Sequence, residues 1–142
     1  MGEYDLERFV KAQADTYQTA LNEIKSGRKR SHWMWYIFPQ IQGLGFSGMS
    51  QRYAILDLNE AACYLEHEVL GSRLIEISNA LLAQNTDSAT TIFGKPDDMK
   101  LRSSMTLFAQ VDNAPPIFQK ILDKFFGGTP DEKTLRILGL KT

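Results

Sequence analysis

The residues of this chain that could do chemistry gather in two short stretches. The first, residues 31–50 (SHWMWYIFPQIQGLGFSGMS), holds both tryptophans, one of the two histidines and three of the ten glycines. His32 borders a basic run, Lys25-Ser26-Gly27-Arg28-Lys29-Arg30, and the aromatic block. That makes it the better of the two histidines for proton transfer or ligand contact, against the competing reading of a packed ring bonded to backbone. Trp33 and Trp35 offer wall or stacking surface. Beyond Pro39, Gly43-x-Gly45-x-x-Gly48 spells the dinucleotide fingerprint. That motif works only between a strand and a helix of a βαβ unit. Pro39 interrupts whatever precedes it and no run of parallel strands is visible, so a Rossmann site is not expected. A more modest chemistry survives: glycine-rich backbone can turn several N–H groups toward an anion, with Ser47 and Ser50 adding hydroxyls. A loop that merely needs positive φ satisfies the same sequence. Met49 stands where a hydrolase elbow requires glycine.

The second stretch, residues 97–106, reads DDMKLRSSMT. On a helix Asp97, Lys100 and Ser104 share a face, with Ser103 alongside. Two serines and a threonine in mid-helix compete for backbone hydrogen bonds. A helix that accepts that cost presents hydroxyls and one ammonium to a polar ligand, or else uses small serines for close packing beside an exposed Asp97–Lys100 pair. Cys63 and His67 stand four apart, but Ala-Ala-Cys-Tyr-Leu reads as core, and a buried structural cysteine is expected. Two histidines 35 positions apart give no metal-ligand pattern, so neither a metal nor a cofactor is expected.

The elements that must position these groups are helical. Apolar residues recur at three- and four-residue spacing from Leu6 to Ile24, which predicts one long helix over 5–26, with Asp5 as N-cap, a Tyr4–Phe9 staple and a stop at Gly27. Ser31 is placed to cap a short helix over 33–38, although six residues rich in Trp, Tyr, Ile and Phe fit a strand as well. Further helices are expected over 59–67, from 71 or 72 to 85, over 88–93, from Pro96 to 111, from Pro115 to 126, and from a Thr129 capping box to 138. The sum is an all-α bundle of about seven helices with a Gly-rich loop, one domain over residues 1–142.

Composition narrows the class. With 43% hydrophobic residues the chain can fill a core, and 16 basic against 17 acidic residues argue against an electrostatically driven nucleic-acid binder. The N-terminus lacks a basic and apolar leader, and no stretch reaches the ~18 apolar residues of a membrane span. The expectation is a soluble cytoplasmic protein with no membrane partner.

The same two stretches carry a resemblance. His32-Trp33-Met34-Trp35-Tyr36-Ile37-Phe38-Pro39-Gln40 with Gly43-Leu44-Gly45 and Ser47, together with Phe93-Gly94, Asp97, Lys100, Ser103, Ser104, Thr106, Leu107 and Phe108, strongly resembles the signature of the bacterial family called domain of unknown function 1810. Leu6-x-x-Phe9-Val10-x-Ala12-Gln13 and the stretch from Tyr64-Leu65 to Leu70-Gly71 match too, so the likeness covers nearly the whole chain. Glu68 departs from the proline the family pattern leads one to expect after the histidine. The resemblance implies a compact, mainly α-helical domain with no settled activity. A fainter likeness to the NADAR superfamily, which acts on ADP-ribose attached to nucleobases, implies a ligand class but transfers no catalytic residue.

The function expected from these readings is a pocket between residues 32–53 and 97–106 for an anionic, nucleotide- or ADP-ribose-like small molecule. Trp33, Trp35, Gln40, Gly43, Gly45, Ser47, Ser50, Tyr53, Lys100, Ser103 and Ser104 are the candidate contacts. Were it a glycosidic-bond hydrolase, His32 and Asp97 would be the acid–base candidates. Two alternatives stand beside it: a protein-interaction module anchored by exposed aromatics at 33–38, and a weak nucleic-acid binder through residues 28–30.

Overall fold

The computed structural model describes residues 4–140, and among them regular structure is helical throughout. Its elements are α1 (Glu7–Ala14), α2 (Tyr17–Lys25), α3 (Met34–Ile37), α4 (Gly48–Arg52), α5 (Leu58–Glu66), α6 (Glu68–Leu82), α7 (Ala89–Phe93), α8 (Asp97–Ala109), α9 (Ile117–Phe126) and α10 (Glu132–Ile137). The β-pairing among the described residues is one isolated parallel bridge, Ile41 to Ile55. The fold is all-α, with ten helices among the described residues where about seven were expected.

Two helices act as hubs. α8 packs against α5, α7, α9 and α10, while α6 packs against α1, α2, α5 and α9. Residues 103–108 of α8 are buried without interruption, so this part of the helix is enclosed on all sides, while Met99 and Lys100 in its first half stay at least partly open to solvent. α9 shows the opposite pattern: Ile117, Phe118, Ile121, Leu122 and Phe125 form one apolar stripe and the remaining face is solvated. Aromatic rings link the layers. Phe9 of α1 meets Tyr64 of α5 edge-on at 5.2 Å, Tyr64 meets Phe108 of α8 at 5.3 Å, and Phe108 meets Phe118 of α9 at 5.8 Å. Contacts of this kind add about 0.5–1.5 kcal/mol each beyond their area burial.

Several expected boundaries move, each for a local reason. The long first helix is two, broken at Asp15-Thr16, both poor residues for a helix interior. The break lets α1 lie on α3 while α2 runs along α6. Its N-cap is Leu6 without a side-chain bond, not Asp5, and the Tyr4 hydroxyl reaches Asp57 at 2.9 Å. The segment at 33–38 is helical, capped by Trp33 rather than Ser31. α6 begins at Glu68, three residues before Gly71, because the His67 ring accepts at Nδ1 from the backbone N–H groups of Val69 and Leu70. Glu68 thus sits at the first helical position, the one position of a helix that also suits proline. Gly71 is a close-approach residue inside α6, where a Cβ would stand 2.0 Å from the carbonyl oxygen of Leu65. Cys63, expected in the core, faces solvent, since α5 turns Ala61 and Tyr64 inward instead. The cap of α10 is Asp131, which accepts from the Thr134 N–H, two residues later than the Thr129 box.

Candidate functional site

The glycine loop is held as an excursion closed at its base. The Ile55 N–H donates to the Gln40 carbonyl at 2.8 Å, and the Gln42 N–H donates to the Ile55 carbonyl at 2.9 Å. Between these bonds the chain turns through Gly43 (φ +95°), reaches an exposed tip at Phe46 and returns along α4. Gly45 is required for closeness rather than for φ: a Cβ there would stand 2.6 Å from Ser50 Oγ. Ser47 caps α4, accepting from the Ser50 N–H at 3.1 Å, with its own hydroxyl 3.0 Å from Ser50 Oγ.

The return limb is bolted down by a residue that sequence reasoning missed. Arg8 of α1 donates to the carbonyls of Arg52 (2.8 Å) and Ala54 (2.7 Å) and pairs with Glu60 Oε2 at 3.0 Å. The Glu60 side chain is fully buried, and its other oxygen accepts from the Leu56 N–H at 2.7 Å. A lone arginine on the polar side of an amphipathic helix carries no sequence signal of such a role.

The approach to the aromatic block is organised by a second missed residue, Glu23 at the end of α2. Its carboxylate accepts from the backbone N–H groups of Arg30 and Ser31, from Ser31 Oγ at 2.6 Å and from Trp33 Nε1 at 2.9 Å. Burial works to raise the pKa of this group, but the hydrogen bonds from Ser31, Arg30 and Trp33 together outweigh it and bring it down to about 2. Ser31 is therefore spent on Glu23, and Trp33, fully buried, is tied to it through the indole N–H.

α8 faces the loop from the other side. Lys29 Nζ lies 2.9 Å from Asp97, and Lys100 Nζ lies 3.5 Å from the same carboxylate. Lys100 Nζ also sits 5.6 Å from the ring centre of Trp35, which is half-buried. Arg102 donates to the carbonyls of Thr129 and Pro130, and Thr106 Oγ1 accepts from the Asp131 N–H, so α8 also fixes where α10 begins.

Two adjoining hollows result. One, of about 250 Å³, is lined from the first stretch by Gln40, Gly45 and Ser50, and from α8 by Lys100 and Ser103; Leu44, Pro96, Met99, Asp131 and Lys133 complete it. The other, of about 380 Å³, takes Trp35, Gly43, Phe46 and Tyr53 among its walls and shares Gln40, Leu44, Gly45 and Ser50 with the first. The two remote stretches thus fold against a common polar hollow, with two ammoniums, Lys100 and Lys133, against one carboxylate, Asp131. Asp131 was visible as part of a capping box; nothing in the sequence distinguished Lys133 from other surface lysines.

The remaining candidates lie elsewhere. Trp33 is core, not pocket wall. Ser47 is a helix cap that lines neither hollow, and Ser104 is fully buried with its hydroxyl unpartnered among the described residues. His32 is exposed and Asp97 is held by two lysines; neither lines a hollow. Of residues 33–38 all but the half-buried Trp35 are buried. Within the basic run Lys29 is occupied by Asp97, leaving Arg28 and Arg30 exposed. No group of three His, Cys, Asp or Glu among the described residues is arranged to hold a metal, and none of their helices is long and apolar enough to cross a membrane.

Comparison with known proteins bears on the whole architecture. The crystal structure at 1.38 Å of the conserved hypothetical protein Rv1873 from Mycobacterium tuberculosis is similar over 97% of this chain and 99% of that one, with 46% identity and a TM-score of 0.94. No curated protein matches. The pattern described as protein of unknown function, DUF1810, matches residues 3–138, and the chain belongs to that family.

Proposed function

We propose that the protein binds an anionic, nucleotide- or ADP-ribose-like small molecule in the two adjoining hollows, as a protein of the cytoplasm. The observation that carries this reading is the meeting of Gln40, Gly45 and Ser50 with Lys100 and Ser103 around one cavity. The smaller hollow suits the charged end of such a ligand, because Lys100 and Lys133 line it together with Ser50 and Ser103. The larger hollow suits a ring, because Trp35, Phe46 and Tyr53 supply flat apolar surface. The four shared residues set the two side by side, as an elongated molecule requires. The faint NADAR likeness points to the same ligand class. The reading is one of binding: His32 and Asp97 lie off the hollows, so glycosidic hydrolysis is an arm of the test rather than part of the claim.

The test is a thermal-shift and calorimetric titration with ADP-ribose, NAD and AMP, with product analysis of the same mixtures. Stabilisation by at least one of these, lost in Lys100→Ala and reduced in Lys133→Ala, supports the reading. No shift at millimolar ligand, or an unchanged shift in Lys100→Ala, overturns it.

A further inference from the structure

A third hollow, of about 580 Å³, shares no lining residue with the other two and lies between α5, α6 and the turn from α8 to α9. Its walls are mixed: Leu58, Ala62 and Leu65 of α5 with Ile75, Val111 and Pro115 supply the apolar part, and Asn59, Gln110 and Asn113 add neutral polar side chains. Leu58, Leu65, Ile75 and Val111 pack against the core on one side and are left half-open on this one. The volume falls within the ~300–1,000 Å³ of small-molecule sites.

The charge at its edge is of one sign. Glu66 and Asp112 are the ionisable groups lining the hollow, and no Lys, Arg or His joins them. Both carboxylates are exposed, and neither has an ion pair or a hydrogen bond among the described residues. Asn113, between Asp112 and the apolar wall, holds φ at +61°, the one non-glycine residue with positive φ among those described. Apolar side chains with neutral amides between them and two unpartnered carboxylates as the charged groups disfavour anions and complement an apolar body that carries a positive charge.

We propose that this hollow is a second binding site, specific for a small organic cation: a primary amine on an aromatic or branched apolar body. The body fills the space between Leu58, Leu65 and Val111, and the ammonium sits between Glu66 and Asp112. This site is independent of the anionic-ligand reading, and the two claims respond to different substitutions.

The experiment uses tryptamine as the probe, with tryptophol as its neutral analogue and indole-3-propionate as its anionic one, titrated into the full-length protein and followed by backbone amide shifts. Tryptamine is expected to perturb residues 110–115 and to bind about tenfold more tightly than tryptophol, the scale set by two partly solvated ion pairs. Glu66→Gln with Asp112→Asn should erase that preference, and Ala62→Trp, which fills the hollow, should abolish binding. Both variants change exposed or half-exposed positions, and an unchanged thermal midpoint confirms their folding. No perturbation at residues 110–115, or equal affinity for all three probes, overturns the proposal. An unaltered ADP-ribose titration in Ala62→Trp shows that the hollow at Lys100 is a separate matter.

Discussion

Replacing Arg8 by alanine should do more damage than its place on the surface of a short helix suggests. The guanidinium holds two carbonyls of the limb returning from the glycine loop and neutralises a carboxylate with no exposure of its own. Removing one partner of a buried pair strands the other, at a cost of about 3–5 kcal/mol. For a chain of this length each kcal/mol moves the midpoint by about 3–4 °C, so the thermal transition should fall by roughly 9–20 °C. Urea unfolding followed by tryptophan fluorescence measures the loss, since Trp33 and Trp35 sit in the core and at the loop hollow respectively. A second variant separates the stranded charge from lost contacts. Arg8→Ala with Glu60→Leu removes both charges and should be more stable than Arg8→Ala alone by about 2 kcal/mol. A cost below about 1 kcal/mol for Arg8→Ala, or a double variant weaker than the single, would refute the clamp.

Other expectations follow from single contacts. Glu23 has a folded pKa of about 2 against an ordinary 4.5, so its contribution is complete above pH 4.5 and lost as pH falls from there toward 2. Allowing for its partial exposure, that is about 2 kcal/mol, and Glu23→Gln should flatten the acid limb of a stability–pH profile measured by denaturant titration. Gly71→Ala should leave little folded protein by circular dichroism, because its Cβ would collide with the Leu65 carbonyl oxygen at 2.0 Å. Gly48→Ala, where nothing lies within 4 Å, is the control and should keep its midpoint. Ser104→Ala should be neutral or stabilising by up to about 1 kcal/mol in the same urea assay, since its buried hydroxyl has no partner among the described residues.

What the sequence disclosed, and what it hid, divide along a physical line. Local signals were legible: the start of α8 after Pro96 and the ends of α7 at Phe93 and α9 at Phe126 are each set within a few residues of their own position. The all-α class followed from the spacing of apolar residues, which is equally local. Errors arose where a residue's role is set by how one element packs against another. Gly71 read as a helix start because glycine usually marks an end; only the passage of Leu65 across α6 reveals why it stands in the middle. Cys63 read as core because its neighbours are apolar, yet a rotation of α5 by one residue turns it outward. Trp33 read as pocket wall because it is aromatic and near a loop, whereas the ring is fully buried with its N–H held by Glu23, ten residues earlier. For the candidate site the juxtaposition of Gln40, Gly45 and Ser50 with Lys100 and Ser103 agrees with the expected pairing of the two stretches. His32 and Ser47 were chosen by chemistry alone, and the packing of α2, α3 and α4 sets them outside the hollows.

The account turns on whether the hollow between the glycine loop and α8 receives an anionic nucleotide-like molecule. Titrating ADP-ribose into the isotope-labelled protein and following backbone amide shifts addresses that directly. Saturable shifts centred on Gly43, Gly45, Lys100 and Ser103, absent in Lys100→Ala, are the predicted result. Shifts scattered over the surface, or none at these four residues with millimolar ligand, would contradict it.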